Sequence, residues 1–184
     1  MKRLCRNLLV LSVSLLAALP ALGQDKQRVS PHETVTADID GATVTIVYGR
    51  PYSKDPKSGA TRKIWGGVVP FGKVWRTGAD EATLMTTTQP LDIGGTNVPA
   101  GTYSLYTQPE ENGGAKLIVN KQTGQWGTKY DEKQDLARIE MKKDAADKPV
   151  DQFTIAIEKN SAGGGTLKLS WENTQYSVAI KSKK

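Results

Sequence analysis

Charged and aromatic side chains that could bind a ligand are concentrated in two segments of this sequence. Residues 63–83 read KIWGGVVPFGKVWRTGADEAT, and residues 125–132 read QWGTKYDE. Arginine binds carboxylates and other planar anions through two parallel hydrogen bonds, and an indole ring offers a broad apolar surface with one polar N–H. If the two segments meet in the fold, they form a pocket suited to a polar or negatively charged ligand.

Three neighbouring charges, Arg76, Asp80 and Glu81, allow two interpretations. In the first, Arg76 holds an anionic or hydroxylated ligand and Glu81 accepts a hydrogen bond from it. In the second, Arg76 and the carboxylates form an internal ion-pair network that fixes the segment to a sheet. Trp65 and Trp126 also allow two interpretations. Each precedes a glycine, and its ring could be accessible for stacking or could cover the end of the core.

We predict a non-enzymatic binding domain whose ligand is a polar small molecule, a glycan or a peptide segment, preferably one with negative charge. Tryptophans form the walls of the predicted site, and charged or hydroxyl groups make the polar contacts. The predicted site residues are Arg50, Lys63, Trp65, Trp75, Arg76, Glu81, Trp126 and Tyr130. Trp75 suits either core or pocket, whereas Trp171 alternates with Leu167 and Leu169 and belongs to the core.

Two other function classes stay open. A hydrolase would use Glu81 with a second carboxylate, such as Glu33 or Asp131, because glycosidases need two carboxyl groups about 5–5.5 Å or about 6.5–9.5 Å apart. Asp80 is a poor partner, because adjacent residues at the start of a strand point to opposite faces. A structural or assembly protein of the envelope would instead use its edge strands or the apolar run Val68–Phe71.

No metal or cofactor site is predicted. His32 is the single histidine and Cys5 the single cysteine, so the common zinc ligand sets are missing. We expect His32 to be exposed near the N-terminal edge of the domain. The run Asp38–Gly41 resembles the start of a calcium loop but lacks the closing acidic residue, and a hairpin explains it better.

Short strands are the elements that would position these side chains. Val, Ile, Thr and Tyr recur in alternating runs bounded by Gly, Pro, Asn and Asp. The predicted strands are 34–39, 42–48, 82–88, 91–93, 102–107, 116–120, 136–141, 153–158, 167–171 and 176–180. The pattern predicts an all-β protein, an antiparallel β-sandwich or partly closed barrel of about nine strands. Residues 49–81 form a long irregular insert, Gly94–Asn97 a turn, and residues 131–137 one helical turn.

The first 23 residues have the composition of a secretory signal peptide. Three basic residues precede the apolar run 8–19, and small residues supply a cleavage point before Gln24. That run is shorter than the about 20 residues that cross a bilayer. We therefore expect export to the periplasm or the extracellular space, no transmembrane anchor after processing, and one domain over residues 24–184.

Charge and cysteine content restrict the function of the processed chain. The formal net charge of +6 falls to +3 when the three basic residues of the signal peptide are removed. So small an excess does not indicate nucleic-acid binding. Removal of Cys5 leaves no cysteine, which excludes disulfides and thiolate chemistry. The sequence leaves the oligomeric state open.

Several runs closely resemble a family of secreted bacterial proteins known as domain of unknown function 2911. The resemblance covers nearly all of the processed chain, and the run Trp-Arg-Thr-Gly-Ala-x-Glu-Ala-Thr is specific. The runs are Tyr48–Pro51, Ile64–Pro70, Gly72–Thr83, Pro99–Leu105 and Asn120–Trp126. The resemblance implies secretion and a β-rich fold. It implies no reaction, substrate or site, so the functional prediction depends on the residues themselves.

Overall fold

The computed structural model describes residues 28–183, and the predicted signal peptide lies outside them. Nine strands form one antiparallel sheet in the order β1-β2-β3-β6-β7-β8-β9-β4-β5. The strands are β1 (His32–Ile39), β2 (Ala42–Gly49), β3 (Ala79–Thr87), β4 (Leu91–Ile93), β5 (Thr96–Val98), β6 (Gly101–Pro109), β7 (Ala115–Asn120), β8 (Asp135–Lys159) and β9 (Gly165–Ser182). The predicted fold class is confirmed, and the sheet stays open rather than closing into a barrel. The one helical turn is a 3-10 turn at Glu132–Gln134, within the predicted range.

The β1–β2 hairpin forms where the sequence predicted it. Asp40 and Gly41 both have positive φ, at 51° and 90°. A two-residue type I′ turn requires that conformation at both central positions, and Asp-Gly meets it at low cost. Gly94 also has positive φ, but the turn there is shorter than predicted because Thr96 and Asn97 already belong to β5.

Strands β8 and β9 are much longer than the sequence predicted. Each joins two of the predicted strands, so that β8 includes 136–141 and 153–158, and β9 includes 167–171 and 176–180. Residues 142–152 are polar and lack clear alternation, so the sequence did not predict that β8 continues through them. β9 pairs with residues 142–145 and with Val150, and the register shifts on both sides of Val150.

The long strands let the sheet fold over into two facing layers. The N-terminal part of β8 pairs with β7, and the rest pairs with β9. Alternating apolar residues from both layers fill the core, including Ile46 of β2 and Phe153 of β8. The Tyr48 hydroxyl crosses the core and accepts a hydrogen bond from the backbone N–H of Ile155 at 2.8 Å. Burial raises the pKa of Tyr48 to about 12.

A second apolar cluster lies on the outer face of β3, β6 and β7. Ala82, Tyr106 and Ile118 form it, and Val74 and Tyr130 pack against it. The loop between β7 and β8 covers this face, so the sheet is buried on both sides here. Within residues 28–183 no helix is long and apolar enough to cross a membrane.

Candidate functional site

The sheet opens at a split between β3 and β6. The two strands pair over residues 83–87 and 101–105 and then diverge. In the gap Trp75 pairs with β6, and Trp126 pairs with β3. The two chemically versatile segments of the sequence therefore meet at this split.

A second opening lies between β8 and β9. Their pairing shifts register between Val150 and Thr154. There Tyr52, from the start of the insert, pairs with Gln152 of β8 in place of β9. Trp171 lies on the part of β9 next to this opening, where Trp65 of the insert contacts it.

A cavity of about 540 Å³ borders both openings. Pockets for small molecules in proteins commonly enclose about 300–1,000 Å³. Its walls come from the insert, the β7–β8 loop, β6, β9 and the N-terminal residues Val29 and Ser30. Aromatic and aliphatic side chains dominate the lining. They include Tyr52, Val74, Trp75, Tyr106, Tyr130 and Trp171.

The two tryptophans of the lining are stacked on each other. The ring centroids of Trp75 and Trp171 are 5.8 Å apart, with 24° between the planes. Phe153 contacts both rings edge-on. Trp75 is 8% exposed and Trp171 is fully buried, so they belong to the core and to the cavity wall at once. Trp171 was correctly predicted as core.

Arg76 supplies the principal charge of the cavity. Its Nε donates to the Gly78 carbonyl at 3.2 Å. Among residues 28–183 its two terminal guanidinium nitrogens have no hydrogen bond or ion pair. Gly127 packs against the aliphatic part of the side chain, where a Cβ would lie 2.7 Å from Cδ of Arg76. The stem of Arg76 is thus fixed, and its charged end has no partner within residues 28–183.

The remaining charges of the cavity wall are Arg62 and Asp80. Arg62 donates to the Tyr52 carbonyl and, at 3.4 Å, to that of Ser53, so it stabilises the insert. Asp80 faces away toward His32, with Oδ2 3.5 Å from Nε2. Two guanidinium groups against one carboxylate give the cavity a positive balance, which favours anions.

The hydroxyls of two lining tyrosines are already engaged by the protein. The Tyr106 hydroxyl accepts from Gln125 at 3.0 Å. The Tyr130 hydroxyl donates to Asp135 at 2.6 Å and accepts from Arg138 at 2.8 Å. Burial and the Asp135 carboxylate raise the pKa of Tyr130. These rings therefore present their apolar parts to the cavity.

Three of the eight predicted site residues line this cavity: Trp75, Arg76 and Tyr130. Arg50 lies elsewhere, in an ion pair with Glu33 at 2.6 Å and in hydrogen bonds to β8. It holds the start of the insert against the sheet. Lys63 is exposed and does not line the cavity.

The other two tryptophans of the prediction also lie outside the lining. Trp65 packs on the core, donates from Nε1 to the Trp171 carbonyl at 3.3 Å and contacts Tyr176 edge-on. Trp126 pairs with Glu81 through the backbone, and 47% of its surface is exposed. Trp65 therefore covers the end of the core, and Trp126 has an accessible ring.

Glu81 lies in a smaller neighbouring cavity of about 280 Å³. Both of its carboxylate oxygens contact the guanidinium of Arg28, one of them at 2.9 Å. These hydrogen bonds hold the pKa of Glu81 at about 2, well below the usual 4.5. In the described part of the chain Arg76 pairs with no carboxylate, so the ion-pair network around Glu81 is built on Arg28 instead.

The expectation that Asp80 and Glu81 point to opposite faces was wrong. Both carboxylates lie near Nε2 of His32, at 3.5 Å and 3.4 Å. Asp80 has a φ of 62°, a left-handed conformation that interrupts the alternation of the strand. His32, Asp80 and Glu81 offer one ligand atom each within 4.8 Å of one another, a grouping that could hold a metal ion. Arg28 offsets one of the two negative charges of this group through its ion pair with Glu81.

Sequence reasoning missed Tyr52, Arg62, Tyr106 and Trp171 as cavity residues. Tyr106 and Trp171 alternate within strands, and that pattern indicates burial without showing that a cavity adjoins them. Tyr52 and Arg62 lie in the irregular insert, whose path no periodicity describes. Arg62 had one usable signal, because it precedes Lys63 in a segment already rich in cations.

A family described as Protein of unknown function (DUF2911) matches residues 30–180. The chain belongs to this family. The DUF2911 match extends from the N-terminal wall of the cavity into β9 and includes every cavity residue named above except Val29, as the resemblance in sequence had indicated. Comparisons with curated proteins and with solved structures gave no significant match. Membership in DUF2911 names no activity, so the function has to be argued from the site.

Proposed function

We propose that this DUF2911 protein binds a small organic anion in the cavity between the insert and the sheet. The observation that carries the proposal concerns the end of the Arg76 side chain, which has no partner among the described residues and lies on the wall of a cavity that includes five aromatic side chains. Arg76 is partly exposed, and an anion with two oxygens can accept bidentate hydrogen bonds from its guanidinium group.

The hydrolase alternative has no comparable support. It needs a carboxyl group with a raised pKa as general acid. The pKa of Glu81 is lowered instead, and Arg28 occupies both of its oxygens. Glu33 is likewise paired, with Arg50.

Replacement of Arg76 tests the proposal. We expect wild-type protein to bind at least one of three anions, benzoate, glucuronate or phenyl phosphate, in isothermal titration calorimetry. Arg76→Gln should weaken that binding about 10- to 100-fold, because hydrogen bonds to charged groups contribute about 1.5–3 kcal/mol each. Lys63→Gln is the matched control, since it removes the same charge from an exposed position outside the cavity.

Two results would overturn it. One is the absence of binding for all three anions at millimolar concentration. The other is an equal loss of affinity in Arg76→Gln and Lys63→Gln, which would mean that overall charge rather than the cavity attracts the anion.

We also propose that the protein works outside the cytoplasm after removal of residues 1–23. The basic start, the apolar run 8–19 and the small residues before Gln24 support this. Expression of the full chain in a bacterium, followed by fractionation and N-terminal sequencing, should yield a processed protein in the periplasm or medium that begins near Gln24. An unprocessed chain in the cytoplasm would contradict it.

A further inference from the structure

An imidazole and two carboxylates meet where β1 and β3 begin. Nε2 of His32 lies 3.5 Å from Oδ2 of Asp80 and 3.4 Å from Oε2 of Glu81. Ligand atoms bound to one Zn²⁺ ion at about 2.0–2.2 Å and at tetrahedral angles are about 3.3–3.6 Å apart. The three residues offer ligand atoms that all lie within 4.8 Å of one another. Two of the three separations therefore already have the length that a zinc ion requires.

The backbone holds these side chains together. Asp80 has a φ of 62°, which brings its carboxylate to the same side of β3 as that of the next residue. The N–H of Gly127 donates to the Asp80 carbonyl at 2.9 Å and fixes this conformation. Gly49 of β2 pairs with His32 on one side and with Ala79 on the other. The ligand atoms thus come from two strands whose relative position is set by the strand between them.

The guanidinium group of Arg28 already places a cation in this cluster. Its Nη1 lies 3.0 Å from Nε2 of His32 and also contacts Oε2 of Glu81. A guanidinium group has donors only, so Nε2 has to accept with its lone pair. Imidazole binds metal ions through that same lone pair. One positively charged nitrogen therefore contacts two of the three ligand atoms.

The contact with Arg28 is weak enough to be exchanged. The side chains of Arg28 and Glu81 are 48% and 44% exposed, and exposed ion pairs add little to stability because water screens them. The pair also leaves the carboxylate of Asp80 as a second negative charge beside the neutral imidazole. A compact dication has twice the charge of the guanidinium group and can bind both carboxylates at once.

We infer that His32, Asp80 and Glu81 bind a divalent transition-metal ion, with Zn²⁺ the best fit, in exchange for Arg28. One nitrogen and two oxygens come from the protein, and water completes the coordination. The imidazole favours zinc over Mg²⁺ and Ca²⁺, which prefer oxygen ligands. This site does not depend on the anion proposed at Arg76.

Isothermal titration calorimetry with ZnCl₂ on untagged protein, purified after export, tests the ligands. Wild-type protein should bind one Zn²⁺ per chain and bind Mg²⁺ and Ca²⁺ more weakly. His32→Gln and Asp80→Asn should each weaken zinc binding at least about tenfold, as even the loss of a group behind a metal ligand does. Asparagine tolerates a positive φ, so Asp80→Asn keeps the fold. Glu140→Gln, which removes an exposed carboxylate elsewhere, should leave zinc binding unchanged.

Replacement of Arg28 tests the exchange. Arg28→Gln removes the competing cation, so it should tighten zinc binding about two- to fivefold, the range of an exposed ion pair. A group that only stabilised the cluster would act in the opposite direction, because its loss would disorder the ligands.

The imidazole gives a direct signal that does not depend on any variant. His32 is the single histidine of the sequence, so its ring nitrogens are unique in an NMR spectrum of ¹⁵N-labelled protein. Saturation with Zn²⁺ should shift the Nε2 signal more than the Nδ1 signal.

Four results would overturn the inference. They are no zinc binding by the wild-type protein, equal loss of affinity in His32→Gln and Glu140→Gln, ring nitrogen signals that do not move with Zn²⁺, and weaker zinc binding by Arg28→Gln. None of them affects the anion site, which is tested separately through Arg76→Gln.

Discussion

At the scale of single residues, Glu81 shows how one ion pair links stability to pH. Its pKa is about 2 in the folded protein because Arg28 donates to it, against 4.5 as the usual value. A depressed pKa means that the stabilising contribution is complete above the usual value and is lost as the pH falls through the folded one. The carboxylate is 44% exposed, so solvent screens the pair and keeps the contribution small.

We therefore expect Glu81→Gln to lower the thermal unfolding midpoint at neutral pH, with the difference from wild type shrinking between about pH 5 and about pH 2. Differential scanning calorimetry across that range measures it. Glu140→Gln is the control, since Glu140 is 78% exposed and its ion pair with Lys116 is long, at 3.9 Å. A difference that grows toward acid pH would show that the pKa of Glu81 is raised instead.

At the scale of elements, the Tyr48 hydroxyl joins β2 to β8 across the core. It is the acceptor for the backbone N–H of Ile155, at 2.8 Å. Tyr48→Phe removes the acceptor and leaves that N–H buried. We expect a loss of about 1–3 kcal/mol in the free energy of unfolding, measured by urea denaturation.

Tyr176→Phe is the matched control. The Tyr176 hydroxyl is buried and has no partner in the described part of the chain, so its removal should leave stability unchanged or slightly higher. Equal destabilisation by the two substitutions would mean that the loss of stability at position 48 comes from the packing of the hydroxyl oxygen rather than from the hydrogen bond to Ile155.

The elements also show how far sequence reasoning reaches in this protein. Alternation located most strands, and Asp40–Gly41 gave the first hairpin, because both signals are local. The continuity of β8 through residues 142–152 escaped it, since the strand there depends on pairing with distant residues of β9 and with Tyr52 rather than on local alternation. The cavity also depends on contacts between distant parts of the sequence, so the sequence did not predict it. It lies where partners are exchanged between strands, and the convergence of residues 63–81 with 125–131 was predictable only as a hypothesis.

At the scale of the whole molecule, β8 and β9 belong to both layers of the folded sheet. One layer cannot separate from the other without breaking the pairing of these strands. We expect urea unfolding followed by tryptophan fluorescence and by far-ultraviolet circular dichroism to give coincident transitions. Fluorescence reports mainly the core around Trp75 and Trp171, and dichroism reports all strands. A fluorescence transition at clearly lower urea concentration would mean that the cavity region unfolds as a separate unit.

The stacked indoles of Trp75 and Trp171 have a practical consequence. Two such chromophores at 5.8 Å couple electronically, and the sign and size of the resulting near-ultraviolet bands depend on the angle between the rings. Occupation of the adjoining space would alter that angle or the polarity around it. The molecule therefore carries its own optical reporter, with which extracts or compound libraries can be screened for ligands without any added label.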